Sequence, residues 1–136
     1  MKTAKKNINA MLKKDAFSKW LGIKVIEIVS KKVTLKMKVR KEMLNGFSIA
    51  HGGITFSFAD SALAFAANSY ENIALAIDNS ISYTSPVSEN DILTAVAREL
   101  NSTKKIGVYE VVVTNQKKIT VAHFKGTVYR TEKKHT

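Results

Sequence analysis

No cysteine occurs in the 136 residues. Disulfides, thiol nucleophiles and cysteine-based zinc sites are therefore excluded together. The three histidines, His51, His123 and His135, are scattered and lack metal-ligand spacing, so no metal is expected. Pro86 is the only proline and, with Ser85 and Ser88, marks a single strong turn. The basic start, Met1 to Asn7, is followed by no unbroken apolar run, and no stretch is apolar enough to span a bilayer. Neither a secretory signal nor a membrane segment is expected, and the cytoplasm is the expected compartment. Acidic residues are few: 11 against 22 Lys and Arg, a net charge of +11. Such a balance invites a nucleic-acid reading. The lysines fall as doublets at expected turns, however, and aromatic residues do not interleave with them as a base-stacking platform requires. No nucleic-acid partner is expected. The lysine doublets serve as solvated surface or attract a small polyanion.

The length suits one domain, residues 1–136, able to bury a core without staples. Ile8, Met11, Leu12, Phe17 and Trp20 recur at helical spacing, predicting an N-terminal helix over about 3–20 that packs its apolar stripe on the body. Gly22 is a candidate left-handed C-cap residue. Ile23 to Val29 reads as a strand, and Val33 to Arg40 alternates apolar and polar as a half-buried strand does. The segment from Gly53 to about Tyr70 is apolar nearly all round, predicting an enclosed helix. Four strand candidates follow, at 73–83, 92–100, 106–114 and 119–130. The expected fold class is α+β: six antiparallel strands curled around the apolar helix, a core over about 21–131 and a charged tail at 132–136 with a solvated His135. His123 is expected to be structural or exposed in its strand.

One carboxylate interrupts the apolar helix. From Gly53 to Tyr70 the only ionisable group besides the tyrosine is Asp60. An acid among Phe56, Phe58, Ala59, Leu63 and Phe65 loses hydration and must be paired, protonated or used. Gly53 opens the same helix two turns earlier. Exposed N–H groups at a helix start cradle an oxyanion, and glycines allow close approach. An oxyanion cradle with a carboxylate suits acyl transfer. The two are separated by a rise of about 10 Å, too far for one carbonyl. An antiparallel pair of such helices brings each Asp60 to the other's helix start, which predicts a site shared across a two-fold dimer.

The run Asn45-Gly46 … His51-Gly52-Gly53 … Asp60, with Asn68 beyond, resembles the hotdog-fold acyl-CoA thioesterases of the phenylacetate-degradation (PaaI) type. Ser82-Tyr83-Thr84-Ser85-Pro86, Asp91 to Ala95, Gly107-Val108-Tyr109 and Thr120 to Gly126 follow that family's strands in order, so the likeness covers about 20–130. The resemblance implies hydrolysis of aryl-acetyl or short- to medium-chain acyl-CoA, with Asp60 as base or nucleophile. It gives the Gly53 N–H the task of polarising the thioester carbonyl and makes His51 and Asn45 its helpers. It implies a homodimer, paired into a homotetramer, and no cofactor, coenzyme A being part of the substrate. Gly52, Ser57, Ser80, Lys104 and Lys105 are the candidate substrate contacts. Two departures stand out. Asn90-Asp91 replaces the usual Gly-Asp. Ala76 falls where relatives carry a water-holding hydroxyl, leaving Asp78, Asn79 or Ser80 as substitutes.

Plainer readings stand beside these. Asn45 also suits a loop-shaping role, His51 a hydrogen-bonding spacer, and Lys104-Lys105 a solvated turn. Two other functions fit the same pattern: a non-catalytic acyl-CoA-binding module, which needs no Asp60, and a hotdog hydratase or dehydratase, which needs His51 and Asp60 converging on one carbon.

Overall fold

The computed structural model describes residues 2–136. Ten elements follow in order: helices α1 (Lys2–Lys14) and α2 (Ala16–Leu21), strands β1 (Lys24–Val29) and β2 (Lys32–Lys38), a 3-10 turn (Lys41–Met43), helix α3 (Gly52–Ala67), and strands β3 (Asn72–Tyr83), β4 (Ile92–Ser102), β5 (Ile106–Thr114) and β6 (Thr120–Lys134). The six strands form one sheet in the order β1-β2-β4-β5-β6-β3, antiparallel throughout. No helix among the described residues is long and apolar enough to cross a membrane.

The period-2 pattern of β2 is realised directly: Val33, Leu35 and Met37 are buried while Lys36 and Lys38 are exposed. Those inward side chains meet α3, which packs against β2, β3, β4, β5 and β6. A helix apolar on all sides needs such a wrapping, and Phe58, Leu63 and Phe65 lose all their exposure within it. Each such side chain contributes about 2–3 kcal/mol relative to exposure. The sheet curled around a central helix is thus the arrangement read from the sequence.

The N-terminal helix departs from that reading. It breaks at Asp15, whose Oδ1 accepts from the Ser18 N–H at 2.9 Å and so starts a second helix. An N-capping aspartate outcompetes continuation of α1, because it satisfies an amide that the first turn leaves free. Gly22 closes α2 at φ 76°, the left-handed cap expected of it. α1 sets Ala4 and Ile8 on the body. Phe17 and Trp20 do not join them: they stack on each other at 6.0 Å, with the Arg40 guanidinium 4.9 Å above the indole.

The charged C-terminal residues Glu132, Lys133 and Lys134 are exposed, but the segment is strand and His135 is half-buried instead of solvated. β6 continues through Lys134, paired with Asn72, and the His135 N–H donates to Glu71 O. The His135 ring reaches Asn68 Oδ1 at 2.9 Å, and partial burial lowers its pKa. Asn68 is the knot here. Its Nδ2 donates to Ala64 O and Ala74 O, its Oδ1 accepts from the Ala74 N–H, and its own carbonyl accepts from Asn7 Nδ2 of α1. One side chain thus joins the end of α3, the start of β3 and the C-terminus. Replacing Asn68 with Ala strands the buried Ala74 amide and is expected to cost about 2–4 kcal/mol, lowering the melting temperature by on the order of 10 °C. Chemical or thermal denaturation checks this.

Candidate active site

The loop before α3 is fixed by its own backbone. The Ala50 N–H donates to Val87 O and the His51 N–H to Met43 O, at 2.7 and 2.8 Å. Asn45 shapes this loop: its Oδ1 accepts from the Phe47 and Ile49 amides. Its Nδ2 makes no hydrogen bond among the described residues, so only that end of the side chain is free for a ligand.

α3 begins at Gly52, with His51 as its N-cap. The Gly53 N–H, read from sequence as the donor to a substrate carbonyl, is occupied: it donates to His51 Nδ1 at 2.9 Å. This fixes the neutral ring's tautomer. Nδ1 accepts, so the proton sits on Nε2, and the exposed ring presents an Nε2–H donor at the helix mouth. Gly52 is needed for close approach. Its carbonyl accepts from Tyr83 Oη at 2.8 Å, and a Cβ there would stand 3.1 Å from that same oxygen. Tyr83 therefore ties the last residue of β3 to the first of α3, a role the sequence did not suggest.

Asp60 lies two turns further along α3, half-buried, at the edge of a cavity of about 570 Å³. Met11 and Lys14 of α1, Leu63 of α3, Asn68 at the C-cap of α3, and Leu75 of β3 are among its walls. Burial raises the Asp60 pKa, the side-chain hydrogen bond from Asn79 opposes that rise, and the nearby Asp15 charge adds to it. Asn79 Nδ2 donates to Asp60 Oδ1 at 3.1 Å. Asp15 is linked to the same stretch of α3 through Ser18: Asp15 Oδ2 accepts from Ser18 Oγ at 2.6 Å, and Ser18 Oγ lies 2.8 Å from Ser61 Oγ.

The structure does not gather all the residues anticipated. Ser80 is turned away from Asp60. It lines a separate cavity of about 260 Å³ with Ser82, Glu110 and His123. A bulge between Ala76 and Asp78 explains the switch. Strict alternation from the buried Ala74 would aim 76, 78 and 80 inward; one extra residue transfers that face to Asn79 and Ile81. Ser57 is half-buried on α3, one turn before Asp60, and makes no hydrogen bond with it among the described residues. Lys104 and Lys105 sit on the β4–β5 turn, beside a different cavity of about 580 Å³. Arg130 pins that turn, donating from Nη1 to Thr103 O and Ile106 O, while its Nη2 meets the buried Glu99 carboxylate.

Comparison with known proteins bears on the family and the fold. The family model described as the thioesterase superfamily matches residues 47–122, from the loop before α3 into β6. The acyl-coenzyme A thioesterase PaaI of Escherichia coli (strain K12) is 40% identical over 124 residues, covering 91% of this chain and 89% of that protein. The solved structure of the E. coli PaaI protein from the phenylacetic acid degradation operon superimposes with a TM-score of 0.95 at 38% identity, covering 98% and 97% of the two chains. A Streptococcus mutans UA159 protein solved with acetyl CoA bound has a TM-score of 0.80 at 26% identity, covering 83% of this chain and 91% of that one. With its sheet wrapped around α3, its glycine-led helix start and a match running through more than half its length, this chain belongs to the thioesterase superfamily.

Proposed function

We propose that the protein hydrolyses acyl-CoA thioesters, with Asp60 of one subunit acting opposite the start of α3 in a second subunit. The observation that carries this reading is the position of Asp60. It is the lone carboxylate of an apolar helix, half-buried, raised in pKa and open to a largely apolar cavity. The thioesterase name of the E. coli relative and the acetyl CoA held by the S. mutans relative support the substrate class. Ionised Asp60 draws a proton from water as the water oxygen attacks the thioester carbon, or attacks that carbon itself to form a mixed anhydride that water then hydrolyses. The developing oxyanion is held by N–H donors at the partner's helix mouth, the His51 Nε2–H and the Gly53 N–H. The Gly53 donor becomes available when the His51 ring yields it. The C–S bond then breaks, and the CoA sulfur takes the proton that Asp60 drew from water or, on the nucleophilic route, a proton from solvent. No metal or cofactor takes part beyond the CoA of the substrate. The apolar walls suit aryl-acetyl or short- to medium-chain acyl groups.

A dimer is proposed because β3 ends the sheet. It is twelve residues long, its outer edge is unpaired, and Leu75 and Ile77 on it are 59% and 61% exposed. A long apolar edge of this kind is a pairing template. Antiparallel pairing of two β3 strands about a two-fold axis continues the sheet and sets two α3 helices side by side. A homotetramer of two such dimers in the cytoplasm is the full assembly proposed.

The pH dependence follows in sign. The carboxylate must be charged to act, and burial holds its pKa above the ordinary carboxylate range. kcat/KM is therefore expected to hold on the alkaline side and to fall tenfold per pH unit once the pH drops through that raised value. A profile of CoA release against pH tests this. Undiminished activity down to about pH 4, the ordinary carboxylate range, would exclude Asp60 as the base.

A further inference from the structure

The geometry assigns Asn79 as the positioning residue for Asp60: its carboxamide, seated in a notch that Gly126 leaves open, aims Nδ2–H at the carboxylate and holds it charged and turned toward the cavity. This rests on the proposed role of Asp60 and adds to it a group that sets when Asp60 works.

Four observations carry it. Asn79 Nδ2 lies 3.1 Å from Asp60 Oδ1. The other end of the same amide, Asn79 Oδ1, is buried and has no hydrogen-bond partner among the described residues. A buried carbonyl left unpartnered is unfavourable, and chemistry is one of the few reasons to retain it. Gly126 is the register partner of Asn79 on β6. A Cβ at Gly126 would stand 2.7 Å from Asn79 Oδ1 and overlap Leu63 Cδ2, so the missing side chain makes the seat for both. Finally, the bulge between Ala76 and Asp78 is what turns Asn79 inward.

The amide orientation is dictated by charge. With Oδ1 toward an ionised Asp60, two acceptors would face each other; only Nδ2 toward the carboxylate gives a bond. Hydrogen bonds to a charged group are the stronger kind. Other groups around Asp60 act differently. Asp15, at the break between α1 and α2, opposes its ionisation. Lys14, Lys134 and His135 line the cavity, and α3 carries no further ionisable side chain. In the proposed dimer His51 of the partner subunit joins them. Asn79 is the one group that favours the charged carboxylate through a direct hydrogen bond.

The test compares wild type with Asn79→Leu, close in size without a donor, and Asn79→Asp, which adds a like charge. Asn79→Ala covers the case in which the leucine variant does not fold. Two readouts are taken: the pH profile of kcat/KM, and the carbon-13 titration of the Asp60 carboxyl, assigned with Asp60→Asn. The expected result is an upward move of both midpoints, by about one pH unit in Asn79→Leu and further in Asn79→Asp. At pH values on the acid limb this is about a tenfold loss, and it closes as the pH is raised. Midpoints unmoved in folded variants, with any loss equal at every pH, would overturn the assignment. Should Asp60→Asn release CoA at the wild-type rate while the carbon-13 midpoint still moves, the thioesterase reading fails and the hold of Asn79 on Asp60 stands.

Discussion

Asp60→Asn is expected to slow CoA release by a hundredfold or more while leaving the protein at least as stable as before. Both halves come from one cause. The carboxylate supplies the base or nucleophile, and loss of such a group costs on the order of 10²-fold or more. The stability half follows from linkage. Burial raises the folded-state pKa of Asp60 above its unfolded value. A group of that kind adds stability below its unfolded pKa and loses that contribution as the pH rises through the folded value. At neutral pH the ionised Asp60 therefore weakens the fold. Asparagine has the same shape and no charge, and its Oδ1 can still accept from Asn79 Nδ2. A thioesterase assay over aromatic and aliphatic acyl-CoAs, paired with thermal melts, measures both. Activity within a few-fold of wild type would remove the carboxylate from the chemistry. Tight acyl-CoA binding by the wild-type protein without turnover would point to a binding module, and hydration of enoyl-CoA to a hydratase.

Converting Leu75 and Ile77 together to lysine is expected to produce a folded monomer that is inactive. In one chain these side chains face solvent, so the fold does not depend on them. Across a two-fold axis each is used twice. Four buried apolar side chains contribute about 2 kcal/mol each, and four lysines placed there add like-charge repulsion. Light scattering and circular dichroism follow the assembly and the fold, and CoA release follows the function. The expected loss is about a hundredfold, because Asp60 and the nearest helix start then lie about 10 Å apart on one rod. A monomer with full activity would place the whole site inside a single chain.

Much of this was legible in the sequence. The alternation of β2, the all-round apolarity of α3, the Gly22 cap and the isolation of Asp60 are local patterns, and local patterns survive folding. What was not legible depends on register. A bulge of one residue in β3 moved the inward face from Ser80 to Asn79, and nothing in the run Asp78-Asn79-Ser80 signals where the extra residue falls. Asp15 was hidden for a related reason: the helical spacing of apolar residues carries across the break that its capping side chain makes. The C-terminal charges are exposed as read, but the backbone that carries them pairs with β3, which composition does not reveal. His51 and Gly53 were singled out, but their mutual hydrogen bond is a matter of one rotamer.

The most direct measurement mixes two damaged subunits. Asp60→Asn lacks the carboxylate, and Gly53→Pro deletes the amide hydrogen within the first helical turn, where proline is tolerated. Each homodimer is expected to be nearly inactive. Co-expressed in equal amounts, half the dimers are mixed. With a site built from both chains, each mixed dimer holds one intact site and one doubly damaged site, and about a quarter of wild-type activity returns. If mixed dimers form, as tagged co-purification would show, and no activity returns, both groups belong to one chain and the shared-site account is wrong.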